Sequence, residues 1–197
     1  MKYKAIVIDP PWPFEVWSKA TGNGRSAASH YSTMTWERLV ELGEYVNDVA
    51  ADDCALFVWF CRPSMPQALD VIRCWNSYVK LKREQWKYKT EAFTWVKLTN
   101  DRSRPATGLG YWTRANTEGV MLFTRGNVKR KAKNVPQVVM WPRTKHSAKP
   151  ELVQDRIEKL VDGPYLELFA RRERKGWVCL GNEISGRDIV EDLCRIG

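Results

Sequence analysis

The stretch Ile6-Val7-Ile8-Asp9-Pro10-Pro11-Trp12-Pro13-Phe14, "IVIDPPWPF", passes from an apolar run to an acid, two adjacent prolines and two aromatic residues. The apolar run predicts a buried strand over residues 3–9. The adjacent prolines fix φ at two successive positions and remove two N–H donors, so the turn after the strand is stiff. An aspartate at the end of a buried strand lies where α/β sheets bind their ligands.

The rest of the chain alternates between strand and helix patterns. Runs rich in β-branched and aromatic residues predict strands over 54–60, 91–97, 118–125, 137–141, 165–170 and 176–181. Amphipathic spacing predicts helices over 35–46, 64–75, 149–161 and 186–196, with Thr35 and Ser64 as N-caps. The alternation predicts one α/β domain over residues 1–197, with helices on both faces of the sheet.

Three polar stretches interrupt this alternation, at residues 13–34, 76–90 and 100–117. Long loops in a compact domain are usually functional or disordered. We therefore expect these three stretches to form the wall that faces a substrate.

The net charge of +9 points to a polyanionic partner, although a generally basic surface is the alternative. Basic residues cluster at 80–89, 124–133, 141–149 and 171–175, interleaved with Trp86, Tyr88 and Trp141. Lysine and arginine beside aromatic rings suit contacts with phosphates and stacked bases. Some of the ten tryptophans must nevertheless belong to the core.

Other features of the composition exclude several classes of protein. No apolar run approaches the roughly 20 residues that a membrane span needs, and the N-terminal run is too short for a signal peptide. The five cysteines form no CxxC pair, so reduced and mostly buried thiols are expected. Both histidines lie far from the cysteines in sequence, so no metal site is expected. A cytoplasmic protein without a membrane partner is predicted.

The opening stretch also suits one kind of chemistry. The Asp9 carboxylate and a proline carbonyl can accept the two hydrogens of an exocyclic amine, which orients the nitrogen lone pair out of conjugation. Trp12 offers a flat face on which a planar base would stack, worth about 1–3 kcal/mol. The alternative is a structural turn followed by a core tryptophan, and both remain open at this point.

Asp-Pro-Pro-Trp after an apolar strand resembles the catalytic motif of the MT-A70 family of adenine N6 methyltransferases, which has bacterial and phage members. Five further blocks resemble that family in the same order. They are "HYSTMTWERL" (30–39), "ALFVWF" with "FTWVK" (55–60 and 93–97), "GLGYWTRANTEGVMLFTRG" (108–126), "HSAKPELVQDRIEKL" (146–160) and "YLELFARRERKGWVCLGNE" (165–183).

The resemblance implies a Rossmann-like fold dependent on S-adenosylmethionine, with permuted motif order: the catalytic strand comes first and the cofactor strand late. It implies methyl transfer to adenine N6 in nucleic acid, with S-adenosylhomocysteine as the second product. DNA is preferred to RNA as the substrate, because compact single-domain members of the family resemble bacterial or phage enzymes, and these mostly act on DNA. The expected location is the cytoplasm of a bacterium or a phage-infected host cell.

Several alternatives stay open beside this reading. An RNA adenine N6 methyltransferase, a catalytically inactive nucleic-acid-binding homologue, and a methyltransferase acting on another planar amine such as cytosine N4 all remain. The resemblance also leaves a homodimer or a partner subunit open.

The resemblance assigns site residues position by position. Asp9, Pro10, Pro11 and Trp12 match the motif that holds the target amine and base. Tyr31 matches a tyrosine near the adenine, and Phe14 either lines that pocket or packs under it. The stretch 76–90 is longer and more basic than expected. We therefore expect a substrate-recognition insert there, with these binding residues: Lys80, Lys82, Arg83 and Lys87.

For the cofactor, the resemblance implies that Lys149 contacts the methionine carboxylate and that Asn182 and Glu183 hydrogen-bond the ribose and adenine. Asp9 borders the cofactor as well. Three further cofactor positions follow from the same match: Glu167, at the ribose or in support of its strand, and Phe169 and Arg171, flanking the adenosine. Glu118 either orients loop residues or takes part in the chemistry.

Larger relatives carry a cofactor-contacting acidic segment upstream of the motif. Only eight residues precede Asp9 here, so that contact is expected to be missing or replaced.

Overall fold

A computed structural model describes residues 1–13, 33–108, 112–143 and 148–197. Within these ranges seven strands form one sheet. They are β1 (Tyr3–Ile8), β2 (Ala50–Phe60), β3 (Lys87–Leu98), β4 (Thr117–Arg125), β5 (Val138–Pro142), β6 (Tyr165–Leu168) and β7 (Trp177–Leu180). The spatial order is β5-β3-β4-β2-β1-β6-β7. β4 runs antiparallel to both of its neighbours, and the other pairings are parallel.

The described helices are α1 (Trp36–Val49), α2 (Met65–Trp75), α3 (Glu151–Leu160), the short α4 (Asn182–Ser185) and α5 (Ile189–Ile196). The Thr35 side chain accepts a hydrogen bond from the Arg38 backbone N–H, which confirms the predicted N-cap of α1. Ser64 occupies the predicted N-cap position of α2, but its side chain makes no capping hydrogen bond. Its hydroxyl donates to the Cys61 carbonyl at 3.0 Å instead, because the chain enters α2 through a turn of 3-10 helix.

Helices cover both faces of the sheet, as predicted. Ile6 and Leu56 pack on one face in a cluster with residues of α1, α2 and α5. Val7 and Phe57 point to the other face and pack with Val153 of α3. This alternation along β1 and β2 is the two-residue period of a strand buried on both sides. Among the described helices, none has the length and apolar character that a membrane crossing requires.

The observed β3 is longer than its sequence pattern predicts. It begins at Lys87 rather than at residue 91, so part of the predicted loop 76–90 is strand. The residues Lys87-Tyr88-Lys89-Thr90 are exposed and polar, so they lack the apolar alternation that marks a strand. Backbone pairing with β4 holds them in place, for example Lys87 opposite Thr124.

The topology defines a crevice at one edge of the sheet. β1 pairs in parallel with β2 on one side and with β6 on the other. The chain leaves β1 toward α1 on one face and returns to β6 from α3 on the opposite face. Such a reversal opens a ligand crevice at the carboxyl ends of the two strands. Asp9 directly follows β1 at this crevice.

Candidate active site

The turn after β1 is fixed by two backbone hydrogen bonds. The Trp12 N–H donates to the Pro10 carbonyl at 2.8 Å, and the Met34 N–H donates to the Pro11 carbonyl at 3.1 Å. A carbonyl oxygen carries two lone pairs, so each proline carbonyl keeps one acceptor position beyond these bonds. The turn therefore presents rigid acceptors beside the Asp9 carboxylate.

Lys149 joins two carboxylates that come from different strands. Its Nζ lies 2.9 Å from Asp9 Oδ2 and 3.0 Å from Glu118 Oε2. Glu118 also accepts from the Lys97 ammonium. The result is a row of alternating charges, Lys97, Glu118, Lys149 and Asp9. No residue that the structure describes hydrogen-bonds to Asp9 Oδ1, so this oxygen can accept from a ligand.

Strand register explains why these groups meet. Lys97 lies two residues beyond Trp95, which pairs with Glu118 across β3 and β4. Asp9 lies two residues beyond Val7 of β1, so both carboxylates point to the face that α3 covers. β2 runs between β4 and β1, and there Lys149 Nζ lies 5.3 Å from the centre of the Trp59 ring. This cation–π contact stabilises the ammonium midway between the carboxylates.

Burial and neighbouring charges shift the pKa values of Asp9, Glu118 and Lys149 in different directions. Burial raises the pKa of the Asp9 carboxyl above its usual value, while Lys149 opposes the shift. Burial also disfavours the charged form of Glu118, but Lys149 and Lys97 outweigh it and hold the Glu118 pKa at about 2. For Lys149, burial acts against the ammonium, yet Asp9 and Glu118 raise its pKa above the usual value. Lys149 and Glu118 are therefore charged at neutral pH.

Trp12 does not offer the open stacking face that the sequence predicts. Its side chain is only 5% exposed and packs with the core on the α1 side of the sheet. Its indole N–H donates to the Trp59 carbonyl at 2.8 Å, which ties the turn after β1 to β2. In this conformation Trp12 anchors the turn that carries Asp9.

Four of the predicted cofactor residues, Phe169, Arg171, Asn182 and Glu183, follow β6 and β7, and β6 lies next to β1. Phe169 follows β6 with a φ of +62°, in the left-handed region that non-glycine residues rarely adopt. Arg171 lies 3.3 Å from the Glu183 carboxylate, so the segments after β6 and β7 are joined by an ion pair. Asn182 and Glu183 begin α4 and are exposed. The positive φ of Phe169 is backbone strain of a kind that is common at ligand sites.

Glu167 is on β6 and points to the α3 face, where the Gln154 side-chain amide donates to its carboxylate. Burial raises its pKa to about 7, against the opposing charge of Arg172, and nearby Asp9 adds to the increase. This contact with α3 matches the second of the two predicted roles, support of the strand.

Arg172 is a residue that sequence reasoning missed. Its guanidinium donates to the Lys149 carbonyl at 3.1 Å and to the Gln154 side chain at 3.3 Å, and it pairs with Glu151 at 3.1 Å. The loop after β6 is thereby fixed to the start of α3, where Lys149 lies. No short motif marks this residue in the sequence.

A sequence model of the MT-A70 family matches residues 3–183. The chain belongs to the MT-A70 family. This confirms the predicted family and its methyltransferase fold. The match extends over the turn after β1, the start of α3 and the ends of β6 and β7, where the predicted site residues meet.

Three relatives show the range of the MT-A70 family around this chain. The type II methyltransferase M.MunI of a Mycoplasma species is 32% identical over 205 residues, which cover 95% of this chain and 80% of that protein. The N(6)-adenine-specific methyltransferase METTL4 of Homo sapiens is 26% identical over 203 residues, 92% of this chain and 37% of METTL4. The N6-methyladenosine RNA methyltransferase MTA1 of Cryphonectria parasitica is 26% identical over 183 residues, 92% of this chain and 52% of MTA1.

The structure does not bring the predicted basic insert to the site. Lys80, Lys82, Arg83 and Lys87 lie before or at the start of β3, at the amino ends of the parallel strands. Asp9 lies at the carboxyl ends. Trp86 does not stack on a base either, because it is 4% exposed and its indole N–H donates to Asn47 Oδ1 at 2.8 Å. The predicted contacts of Phe14 and Tyr31 lie outside the described residues.

Other arginines lie at the carboxyl edge, in the stretch 100–117 that was predicted to face a substrate and in the basic cluster 141–149, although none of them was predicted individually. We call Arg102, Arg104, Arg114 and Arg143 the carboxyl-edge arginines. All four are exposed. The Arg143 N–H donates to the Leu98 carbonyl at 3.2 Å, and the Arg102 guanidinium lies 5.1 Å from the Trp141 ring centre. Trp112, 96% exposed, lies in the same edge loop as Arg114. The edge beside Lys97 is thus basic and carries an exposed aromatic ring.

Proposed function

We propose that this MT-A70 protein transfers a methyl group from S-adenosylmethionine to the N6 amine of adenine in DNA. The observation that carries the proposal is the Asp9 carboxylate. It is held at the crevice by Lys149 through one oxygen, and its other oxygen is directed to no described residue. It lies beside two rigid proline carbonyls that each keep an acceptor position.

This arrangement suits an exocyclic amine. Asp9 and a proline carbonyl accept the two amine hydrogens, which turns the nitrogen lone pair away from the ring and toward a methyl donor. Because Lys149 favours the charged form of Asp9, the carboxylate can also take up the proton that the amine loses. Orientation and fixed charge then provide most of the catalysis.

The donors and acceptors of the site also fit the cofactor. Lys149 has three N–H donors, of which two go to Asp9 and Glu118, so with respect to the described residues one is left for the methionine carboxylate. Asn182 and Glu183 place an amide and a carboxylate beside β6, and these groups suit ribose hydroxyls and an adenine edge. S-adenosylmethionine, when bound, supplies an electrophilic methyl group on a sulfonium. Phe169 and Arg171 would border its adenosine.

The choice of DNA rests on the relatives and on the basic edge. M.MunI, named a type II methyltransferase, is matched over most of its length, whereas METTL4 and MTA1 are matched over about half or less. The carboxyl-edge arginines would hold phosphates on either side of an adenine extruded from the duplex. A DNA substrate implies an intracellular location, and we propose the cytoplasm of a bacterial cell. A second subunit remains a prediction.

The test is incubation with S-adenosylmethionine carrying a labelled methyl group, followed by separate counting of DNA, RNA and protein. We expect label in DNA, at adenine N6. The variant Asp9→Ala should lose transfer, while its affinity for S-adenosylmethionine stays within a few-fold of the original, since Lys149 and Asn182 remain.

Asp52→Ala is the matched control, because Asp52 is an exposed aspartate at the opposite end of β2. It should retain full transfer. Label in RNA alone would replace DNA by RNA as the substrate. Absence of label from both nucleic acids, with cofactor binding intact, would rule out the proposed function.

A further inference from the structure

Basic residues from two separate segments meet at the amino edge of the sheet. The first segment lies before and at the start of β3, and the second follows β4. The Gly126 N–H donates to the Arg83 carbonyl at 2.9 Å, and Lys87 pairs with Thr124 at the end of β4. We call the following residues the amino-edge surface: Lys80, Lys82, Arg83, Lys87, Lys89, Lys129, Arg130 and Lys133.

These eight charges are not neutralised within the part of the chain that the structure describes. None of them forms an ion pair with a described residue, whereas neighbouring Lys131 lies 2.8 Å from Asp162. All eight side chains are exposed. The nearby acid Asp53 is engaged, since it accepts from the Asn127 N–H at 2.7 Å. Like charges held together in this way repel one another, and a polyanion would relieve the repulsion.

The amino-edge surface is distant from the active site. Strand pairing places Lys87 level with Thr124, Ala55 and Ala5 across β3, β4, β2 and β1. Asp9 is four residues beyond Ala5, about 13 Å along the strands and about 14 Å across them from Lys87. The two basic surfaces therefore lie at opposite ends of the sheet. A duplex that lies across the carboxyl edge at Asp9 therefore contacts the amino edge only if it bends or if a separate stretch is bound there.

We propose that the amino-edge surface is a second DNA-binding surface, which holds phosphates of a bent or separate stretch of duplex while the carboxyl edge acts on the target base. Six of its eight residues are lysines, whose flexible ammonium groups contact phosphates without reading bases. The surface thus fits the DNA backbone independently of sequence. This inference rests on the proposed DNA substrate.

The test compares DNA binding by the unsubstituted protein and by a variant carrying Lys82→Gln, Arg83→Gln and Lys87→Gln. The probe is a duplex of about three helical turns, roughly 30 bp, titrated between about 50 and 200 mM salt. We expect the dissociation constant of the variant to be about 10- to 100-fold higher at physiological salt, and the slope of log K against log salt to be shallower by about 2 to 3.

A matched control removes three arginines from the helices on the α1 face, with Arg38→Gln, Arg73→Gln and Arg195→Gln. It has the same net charge as the amino-edge variant, so a purely global effect of charge would weaken DNA binding equally in both. A loss confined to the amino-edge variant supports the proposal. Unchanged affinity and slope in that variant would overturn it and leave the surface to another polyanion, such as an acidic protein.

The readout is binding rather than methyl transfer, so the two proposals fail separately. If the protein binds DNA through this surface but transfers no methyl group to it, the proposed function is wrong and the surface stands. If the protein transfers methyl groups to DNA and the amino-edge variant binds DNA normally, the proposed function stands and the proposed second DNA-binding surface is wrong.

Discussion

Lys149 is the residue on which the charges of the site depend. It lies between carboxylates from β1 and β4, over the Trp59 ring of the intervening β2. Without its ammonium, the half-buried Asp9 carboxylate would lose its ion pair and Glu118 would keep only Lys97, and an unpaired buried charge is unfavourable. The same residue holds Asp9 in position and keeps one donor for a ligand carboxylate. Catalytic geometry and local stability are therefore joined in one side chain.

The raised pKa of Glu167 makes the free energy of unfolding depend on pH. Its pKa rises from 4.5 to about 7 because it is buried. Between these two pH values the unfolded chain binds fewer protons than the folded one, so the free energy of unfolding falls as pH rises. Glu167→Gln should remove that fall and make the protein more stable at pH 8 by up to about 3 kcal/mol, with little difference near pH 4.

Urea unfolding at a series of pH values measures this effect. Glu44→Gln, at an exposed position of α1, serves as the control and should follow the unsubstituted protein. If Glu167→Gln were less stable at pH 8 than the unsubstituted protein, the Gln154 contact would outweigh the cost of burying the charge.

At the scale of elements, the ends of β6 and β7 form one unit. The Ala170 N–H donates to the Leu180 carbonyl at 2.9 Å, which extends the pairing past β6 into the strained turn at Phe169. Gly181 makes this possible. A Cβ at that position would lie 2.7 Å from the Ala170 carbonyl oxygen and 2.9 Å from its nitrogen. The close backbone approach aligns Phe169 and Asn182 at the crevice.

Gly181→Ala should therefore push these two segments apart. We expect a loss of about 1–3 kcal/mol in the free energy of unfolding, as for other overpacked sites, together with weaker binding of S-adenosylmethionine, measured by calorimetry. Gly176→Ala is the control. Gly176 has a φ of +83° but nothing within 4 Å of an added Cβ, so it should lose about 1 kcal/mol and keep its affinity. Equal affinities in the two variants would contradict this role of Gly181.

At the scale of the whole molecule, positive charge gathers at both ends of the sheet. The carboxyl-edge arginines lie on the β3 and β5 side of the proposed active site, and Arg102 has a φ of +60°. The amino-edge surface lies at the other end. Arg172 and Arg174 instead form ion pairs with α3 and so fix the loop after β6. Position in the fold, and not composition, separates the arginines proposed to bind DNA from those that form ion pairs within the protein.

We expect the carboxyl-edge arginines to affect the KM for DNA. Replacing Arg102, Arg104 and Arg114 with glutamine would remove three of the proposed phosphate contacts near the target base. We expect the KM for duplex DNA to rise about 10- to 100-fold at physiological salt. The KM for S-adenosylmethionine should change little, because none of these residues lies at the ends of β6 or β7. Steady-state methyl transfer at varied DNA and cofactor concentrations separates the two. An unchanged KM for DNA would mean that other residues contact the DNA phosphates near the target base.

Much of the fold could be predicted from local pattern. The helix spacing, the Thr35 cap and the apolar runs of β1 and β2 are each encoded within a few residues. The exposed start of β3 could not be predicted, because it depends on long-range contacts with β4, through backbone pairing and the Tyr88–Phe123 ring contact. The antiparallel direction of β4 was not predicted for the same reason.

The site divides in a similar way. Motif chemistry pointed to Asp9, and the resemblance assigned Lys149, Asn182 and Glu183 to the cofactor. It did not assign a role to Lys97, and it left the role of Glu118 open, because their pairing depends on the register between β3 and β4. It also took Trp12 for a stacking surface, although burial and a bond to Trp59 make it an anchor.

The sequence by itself determined the α/β class, the family, and the acid and prolines that end β1, since these depend on neighbouring residues and their order. Only the tertiary structure decided which charges meet. Lys149 reaches Asp9 across 140 positions of sequence, while the basic stretch beginning at Lys80 lies at the far edge of the sheet. Strand direction and register set these distances, and both arise from long-range backbone pairing that no local pattern records.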